Sequence, residues 1–105
     1  MINVAIAIIK KDQRLLITQR GPHTHLPGLW EFPGGKQRPE ETLEECLIRE
    51  IREELQVEIE IRRPYGQIRY SYPDREVMLH VYLCCLRGAP PMLSEQRKWV
   101  APHEL

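Results

Sequence analysis

The stretch that decides the fold spans residues 34–57 and reads GGKQRPEETLEECLIREIREELQV. Within it, Thr42 and Glu45 have the spacing of a capping box, in which two side chains satisfy the first backbone donors of a helix. Leucine and isoleucine then recur at helical spacing from Leu43 to Leu55 and form one apolar stripe. The stretch therefore predicts a single helix over residues 42–55 that packs against the rest of the chain.

The segments on both sides of this helix have the composition of short strands, because apolar and β-branched runs alternate with polar turns. The predicted strands are residues 4–9, 15–18, 30–33, 57–61, 65–72, 76–86 and 98–100. Turns are expected at 10–14 and 73–75, and a polar loop at 36–41. Strands, one long helix and further strands are typical of an α+β domain with a mixed sheet.

The overall composition limits the classes of partner. The chain has 105 residues, enough for one domain, and its net charge of zero argues against a broad surface for nucleic-acid polymers or anionic membranes. The first residues lack the features of a signal peptide. Cys46, Cys84 and Cys85 have no zinc spacing, and adjacent cysteines on a strand point to opposite faces. Three reduced thiols predict a cytoplasmic protein.

Three glutamates of the predicted helix share one face, away from the apolar stripe. Glu50, Glu53 and Glu54 are three and four residues apart or adjacent, so their carboxylates lie close together. Like charges at this spacing repel, and a hard divalent cation such as Mg²⁺ or Mn²⁺ would neutralise them. The alternative interpretation is an ordinary solvated acidic face.

The residues before the helix favour the metal site. Gly34 and Gly35 allow backbone atoms to approach a ligand with no intervening side chain. Glu41 is placed to reach back to Arg49 and to pin the loop by a charge-assisted hydrogen bond. Taken alone, the two glycines would indicate only a turn.

The same stretch resembles the Nudix box: a glycine, five residues, a glutamate, seven residues, then Arg-Glu-apolar-x-Glu-Glu-x-Gly-apolar. Gly35, Glu41 and Arg49 open its three parts, and the one departure is Gln56, which stands where the family has glycine. That glycine resembles a helix C-cap, and another residue costs on the order of 1 kcal/mol if the backbone there is left-handed. Outside the box, similarity to the MutT branch, which sanitises oxidised nucleotides, extends to residues 15–20, 30–35, 70–75 and 99–100.

The resemblance implies a fold and an activity. The fold would be a Nudix-type α/β/α sandwich with a mixed sheet, with residues 1–105 forming one domain. The family's C-terminal helix is absent from this sequence, so we expect a truncated domain or a piece of a longer chain. The implied activity is Mg²⁺-dependent hydrolysis of a nucleoside diphosphate-linked substrate, foremost (8-oxo-)dGTP, by a monomer or homodimer. The alternatives are ADP-ribose, dinucleotide or nucleotide-sugar substrates, and a noncatalytic nucleotide-binding module.

The resemblance also implies roles for individual residues. The general base would be Glu53, with Glu50 a near-equal candidate, supported by Arg49 and Glu41. The expected metal ligands are Gly34, Glu50, Glu53, Glu54 and Glu95, and the expected nucleotide contacts are Arg20, Phe32, Tyr72 and Arg75. The alternatives are core packing for Phe32, and a solvated surface position for Glu95, Tyr72 and Arg75.

Overall fold

The computed structural model describes all 105 residues as seven strands, one α-helix and a final 3-10 turn. The helix α1 is Leu43–Leu55 and the 3-10 turn is Pro102–Glu104. The strands are β1 Ile2–Lys11, β2 Arg14–Gln19, β3 Trp30–Glu31, β4 Gly34–Lys36, β5 Ile59–Tyr72, β6 Arg75–Leu86 and β7 Arg97–Val100. This mixture confirms the α+β class that the sequence predicts.

The ends of α1 follow from its sequence. The Thr42 hydroxyl accepts from the Glu45 N–H at 3.1 Å, and the Glu45 carboxylate accepts from the Thr42 N–H at 2.8 Å, so the predicted capping box is present. The helix ends at Gln56, whose φ of 55° and ψ of 40° are left-handed. A helix of 13 residues with this many charged side chains is too short and too polar to cross a membrane.

Strand β1 is the centre of a mixed sheet with the order β3-β2-β1-β6-β5. It runs parallel to β6 from Ile2 opposite Val77 to Ile9 opposite Cys84. On its other side it pairs antiparallel with β4, and then with β2 only at its last two residues. Strand β7 continues the sheet from β2. A parallel pair needs a long crossover, and α1 lies within the connection between β1 and β6.

The core lies between α1 and one face of this sheet. Helix residues of the predicted apolar stripe pack on alternate residues of β1 and β6, because every second side chain of a strand faces the same way. The core residues are Ala5, Ala7, Ile9, Leu16, Cys46, Leu47, Ile51, Leu55, Val57, Ile59, Tyr82 and Cys84. The structure has one α-helix, which covers one face of the sheet.

Two predicted boundaries were wrong. Residues Gly34–Lys36 form a strand paired with β1 instead of a turn that leads into a loop, because their backbone groups find partners along Val4–Ile6. The two strands predicted at 57–61 and 65–72 are one, β5, which continues past register shifts near Arg63 and Pro64. Bulges of this kind bend a strand without ending its pairing.

The three cysteines are free thiols, and Cys84 and Cys85 lie on opposite faces of β6 as expected. Burial raises the pKa of Cys46 to about 11 and that of Cys84 to about 12. Cys85 is partly exposed. The two buried thiols are therefore protonated packing groups at neutral pH.

Candidate functional site

The predicted contact between Glu41 and Arg49 is present and bidentate. Arg49 donates from Nε to Glu41 Oε2 at 2.9 Å and from Nη2 to Oε1 at 2.6 Å. The hydrogen bonds from Arg49 are the main cause that lowers the pKa of Glu41 to about 2. This pair fixes the segment before α1 to the middle of the helix, because a fork of two charge-assisted bonds also sets orientation.

Arg49 also holds two of the clustered glutamates. Its Nη1 donates to Glu50 Oε1 and to Glu53 Oε1, both at 2.9 Å, and its Nη2 donates to the Lys36 carbonyl at 3.2 Å. Hydrogen bonds to carboxylates, that of Glu41 first, raise the pKa of Arg49. One guanidinium thus joins the end of β4 to the acidic face of α1.

The glycines of β4 allow the closest approach in the site. A Cβ atom on Gly35 would lie 2.2 Å from Cδ of Glu50, so the Glu50 carboxylate rests directly on the strand backbone. A Cβ atom on Gly34 would lie 2.0 Å from the Ala5 carbonyl oxygen of β1. Gly35 therefore makes room for a site side chain, whereas Gly34 makes room for the sheet.

Glu54 differs from the other two glutamates of the cluster because no lysine or arginine side chain forms an ion pair with it. Burial raises its pKa, a hydrogen bond from the Thr18 side chain opposes that rise, and the carboxylates of Glu31 and Glu50 add to it. Thr18 is a buried polar residue of β2, with 6% of its surface exposed. The sequence analysis missed Thr18, since nothing in a strand-like run marks one threonine as facing a helix.

The chemistry of these donors fits a hard divalent cation. They are carboxylate oxygens, the ligands that Mg²⁺ and Mn²⁺ prefer, and one of them, on Glu54, is partly buried and has no cationic partner. The side chains are not preassembled, since no group of three or more His, Cys, Asp or Glu side chains has metal-ligand spacing. Arg49 occupies Glu50 and Glu53 instead. The ligand roles of Gly34 and of the three glutamates stay predictions.

Glu95 lies on an exposed turn before β7, where its side chain makes no hydrogen bond or ion pair. The neighbouring Arg97, which the sequence analysis missed, ties this turn to the helix. Its Nη2 donates to the Glu54 carbonyl at 2.7 Å, and its Nη1 donates to the Met92 carbonyl at 3.3 Å. The turn of Glu95 is therefore attached to the end of α1 that carries the acidic cluster.

A cleft of about 790 Å³ opens on the sheet face opposite α1. Most of its lining is apolar and comes from β1, β3, β5, β6 and β7, including Ile6, Ile8, Trp30, Phe32, Ile68, Leu79 and Val81. Lys98 stands at its wall with Nζ 4.3 Å from the centre of the Trp30 ring. The structure thus places Phe32 in the wall of a cavity wide enough for a nucleobase.

The other three predicted nucleotide contacts do not line this cleft. Arg20 pairs with Glu31 through Nη2 at 2.9 Å and donates to the His25 carbonyl at 2.8 Å, so it braces a loop beside β3. Tyr72 and Arg75 face each other at the β5–β6 hairpin, with the guanidinium 5.5 Å from the ring centre. Each already has a partner within the protein.

Comparison with known proteins identifies this arrangement. The family model described as the NUDIX domain matches residues 4–105, nearly the whole chain. The chain belongs to the Nudix family. The CTP pyrophosphohydrolase of Escherichia coli K12 is 38% identical over 82 residues, which cover 78% of this chain and 61% of that protein. The 8-oxo-dGTP diphosphatase of Proteus vulgaris is 34% identical over 83 residues, covering 78% and 74% of the two chains.

Comparison with solved structures shows a similarity of fold as well as of sequence. The solution structure of the E. coli ORF135 protein superposes with a TM-score of 0.82 at 32% identity, over 99% of this chain and 76% of that one. This Nudix chain thus spans about three fifths to three quarters of the relatives that it matches. The match confirms the Nudix fold that the sequence implies.

The one departure from the Nudix box lies at a left-handed position of the backbone. Gln56 adopts the left-handed conformation that glycine favours, and its side-chain amide donates to the Glu53 carbonyl at 2.8 Å. The backbone N–H of Gln56 still reaches the Arg52 carbonyl. The substitution keeps the end of the helix and therefore keeps the acidic cluster in place.

Proposed function

We propose that this Nudix domain is a Mg²⁺-dependent hydrolase of a nucleoside triphosphate, foremost 8-oxo-dGTP, giving the nucleoside monophosphate and pyrophosphate. The observation that carries the proposal is the network in which Arg49 joins Glu41, Glu50 and Glu53 beside the backbone of β4. A solvated acidic face does not require an arginine and a close glycine contact to order its carboxylates.

The proposed reaction breaks one phosphoanhydride bond by attack of water on phosphorus. Phosphoryl transfer needs positioning and charge stabilisation more than covalent help from the protein. A bound divalent cation would neutralise charge on the phosphates and lower the pKa of the attacking water. Glu54, unpaired and beside Thr18, would hold that cation together with Glu50, Glu53 and the Gly34 carbonyl, with Glu95 approaching from its turn.

The proton of the attacking water goes to a glutamate of the cluster. Glu53 is our candidate general base because its side chain is 51% exposed, against 25% for Glu50, and is therefore open to a solvent molecule. Arg49 orients both carboxylates through a single guanidinium nitrogen. Glu41 acts through Arg49 and is a positioning residue.

Two observations support a nucleoside triphosphate as the substrate. The apolar cleft offers Phe32 and Trp30 as surfaces against which a base can pack. Relatives at 34% and 38% identity are named for 8-oxo-dGTP and CTP. CTP is accordingly the second candidate substrate. The relatives named for ADP-ribose and UDP-linked substrates share the fold at 19% and 18% identity, which gives no support to those substrates.

The proposal extends to the setting of the reaction. We expect free nucleotide, not a nucleic-acid polymer or a membrane, to be the partner, and a monomer or homodimer to be the active form. The free thiols of the chain are in keeping with the reducing cytoplasm.

The test is hydrolysis by the purified chain with Mg²⁺, offering 8-oxo-dGTP, dGTP, CTP and ADP-ribose in parallel and separating the products by ion exchange. We expect preferential conversion of 8-oxo-dGTP. Glu53→Gln should abolish turnover without a change in Tm, whereas Glu44→Gln, an exposed position of the same helix, should retain it. Turnover of ADP-ribose alone, or normal turnover by folded Glu53→Gln, would refute the proposal.

A further inference from the structure

Arg97 is a charged residue whose charge has no carboxylate partner. Both of its terminal nitrogens donate to backbone carbonyls, Nη2 to Glu54 at 2.7 Å and Nη1 to Met92 at 3.3 Å. The other arginines around the acidic cluster, Arg38 and Arg49, form ion pairs. An arginine whose guanidinium donates to main-chain oxygen atoms of two segments is placed to hold those segments together.

The carbonyl that Arg97 contacts is one that the helix itself cannot satisfy. Glu54 is the last residue but one of α1, so its carbonyl has no N–H partner one turn further along. A cation also interacts favourably with the negative end of the helix dipole. The contact therefore fixes the last turn of α1, the turn that carries Glu53 and Glu54.

The same strand pair contacts Glu54 twice. Arg97 of β7 lies directly opposite Thr18 of β2. Residues directly opposite each other in an antiparallel pair project to the same face of a sheet. Arg97 hydrogen-bonds the backbone of Glu54, and the Thr18 side chain lies beside its carboxylate. Both the carboxylate and the main chain of Glu54 thus lie against the β2–β7 pair.

The turn that precedes Arg97 is fixed as well. The Arg97 N–H donates to the Ser94 carbonyl at 3.2 Å, and the Gln19 N–H of β2 donates to the Gln96 carbonyl at 2.8 Å. Glu95 lies between these anchored residues, with an exposed side chain that makes no hydrogen bond or ion pair. An exposed carboxylate therefore stands on a hydrogen-bonded turn that the guanidinium of Arg97 attaches to α1.

We propose that Arg97 is a positioning residue that sets the distance between the Glu95 turn and Glu54, and thereby completes the divalent-cation site from two separate segments. The inference rests on the proposed function, since it assigns Glu95 and Glu54 to one cation. Arg97 itself touches neither substrate nor cation. Its two hydrogen bonds fix the main chain on both sides of the site.

The test is the affinity of the full chain for Mn²⁺ alone, measured by the electron paramagnetic resonance signal of the free ion. Arg97→Met should weaken binding about tenfold, the lower end of the loss seen when groups that orient metal ligands are removed. Arg97→Lys keeps the charge but spans only one carbonyl, and should bind with intermediate affinity. Arg52→Met is the control, because Arg52 in the same helix end pairs outward with Glu58 and should leave the affinity unchanged.

A second arm asks whether Arg97 acts through Glu95. Because Arg97 positions the Glu95 turn, Arg97→Met should cost less in a Glu95→Gln background than in the wild type. An Arg97→Met protein with lowered Tm but unchanged Mn²⁺ affinity has lost only a structural contact, and that result overturns the inference. Losses that simply multiply in the double variant also overturn it. A chain that binds Mn²⁺ yet hydrolyses no nucleotide refutes the proposed function and leaves this inference standing.

Discussion

Alanine at each of the two adjacent glycines of β4 should separate the fold from the site. In Gly34→Ala, the new methyl group would stand 2.0 Å from the Ala5 carbonyl oxygen and 3.0 Å from Cα of Ile6. Both atoms are backbone, so β4 must move away from β1. In Gly35→Ala, the nearest atoms to the methyl group belong to the carboxyl end of Glu50, which can rotate away. The same small change therefore has two different expected outcomes.

The structure gives the magnitudes. Gly34→Ala adds overpacking that costs ~1–3 kcal/mol. It also loses β1–β4 hydrogen bonds worth ~1 kcal/mol each, so the free energy of unfolding should fall by about 3 kcal/mol or more. At roughly 4–8 °C per kcal/mol for a domain of this size, Tm should fall by more than ~12 °C. Gly35→Ala loses the Glu50 contact with Arg49, at most ~1 kcal/mol, and regains ~0.4–1 kcal/mol from the less flexible unfolded chain. Its Tm should change little.

The assay pairs thermal unfolding by circular dichroism with Mn²⁺ affinity. Gly35→Ala should bind Mn²⁺ about tenfold or more weakly, because the carboxylate of Glu50 is displaced from the cluster. Gly34→Ala should show its main effect as a lower Tm in the unfolding measurement. A Gly35→Ala protein with wild-type Mn²⁺ affinity would show that the position of Glu50 on the strand backbone is irrelevant to cation binding. Equal loss of Tm in both variants would refute the assignment of Gly34 to the sheet.

Three further predictions concern the helix ends, the ion pair and the thiols. Gln56→Gly should raise Tm by a few degrees, because relief of the left-handed strain, about 1 kcal/mol, exceeds the loss of one exposed side-chain hydrogen bond. A Tm below that of the wild type would contradict this prediction. The pKa of Glu41 is lowered to about 2, so its contribution to stability is complete above its unfolded value and is lost as pH falls towards 2. The Tm difference between wild type and Glu41→Gln should accordingly shrink as the pH falls below 4.5, and a constant difference down to pH 2 would argue against the pair. Iodoacetamide at pH 8 should modify one thiol, Cys85, in the native chain and three in denaturant, as counted by mass spectrometry; rapid native modification of Cys46 or Cys84 would contradict their burial.

The sequence by itself determined the helix and the contact that organises the acidic face. Thr42, Glu45 and the apolar stripe fix where α1 begins and which face it buries, because both depend on spacings of three and four residues. The bidentate contact of Glu41 with Arg49 was also predictable, since the box fixes both positions. The left-handed residue at the helix end was anticipated from the glycine that Gln56 replaces.

Only the tertiary structure decided what meets across long stretches of chain. Gly34–Lys36 is a strand because β1 offers it partners, and a run of two glycines and a lysine carries no local strand signal. Thr18 and Arg97 lie on one face beside Glu54 because β2 and β7 pair in one register, and a shift of β7 by one residue would turn Arg97 to the other face. Spacing along the chain specifies a helix since its neighbours are close in sequence. The partners of a strand are distant in sequence, so packing against α1 selects them.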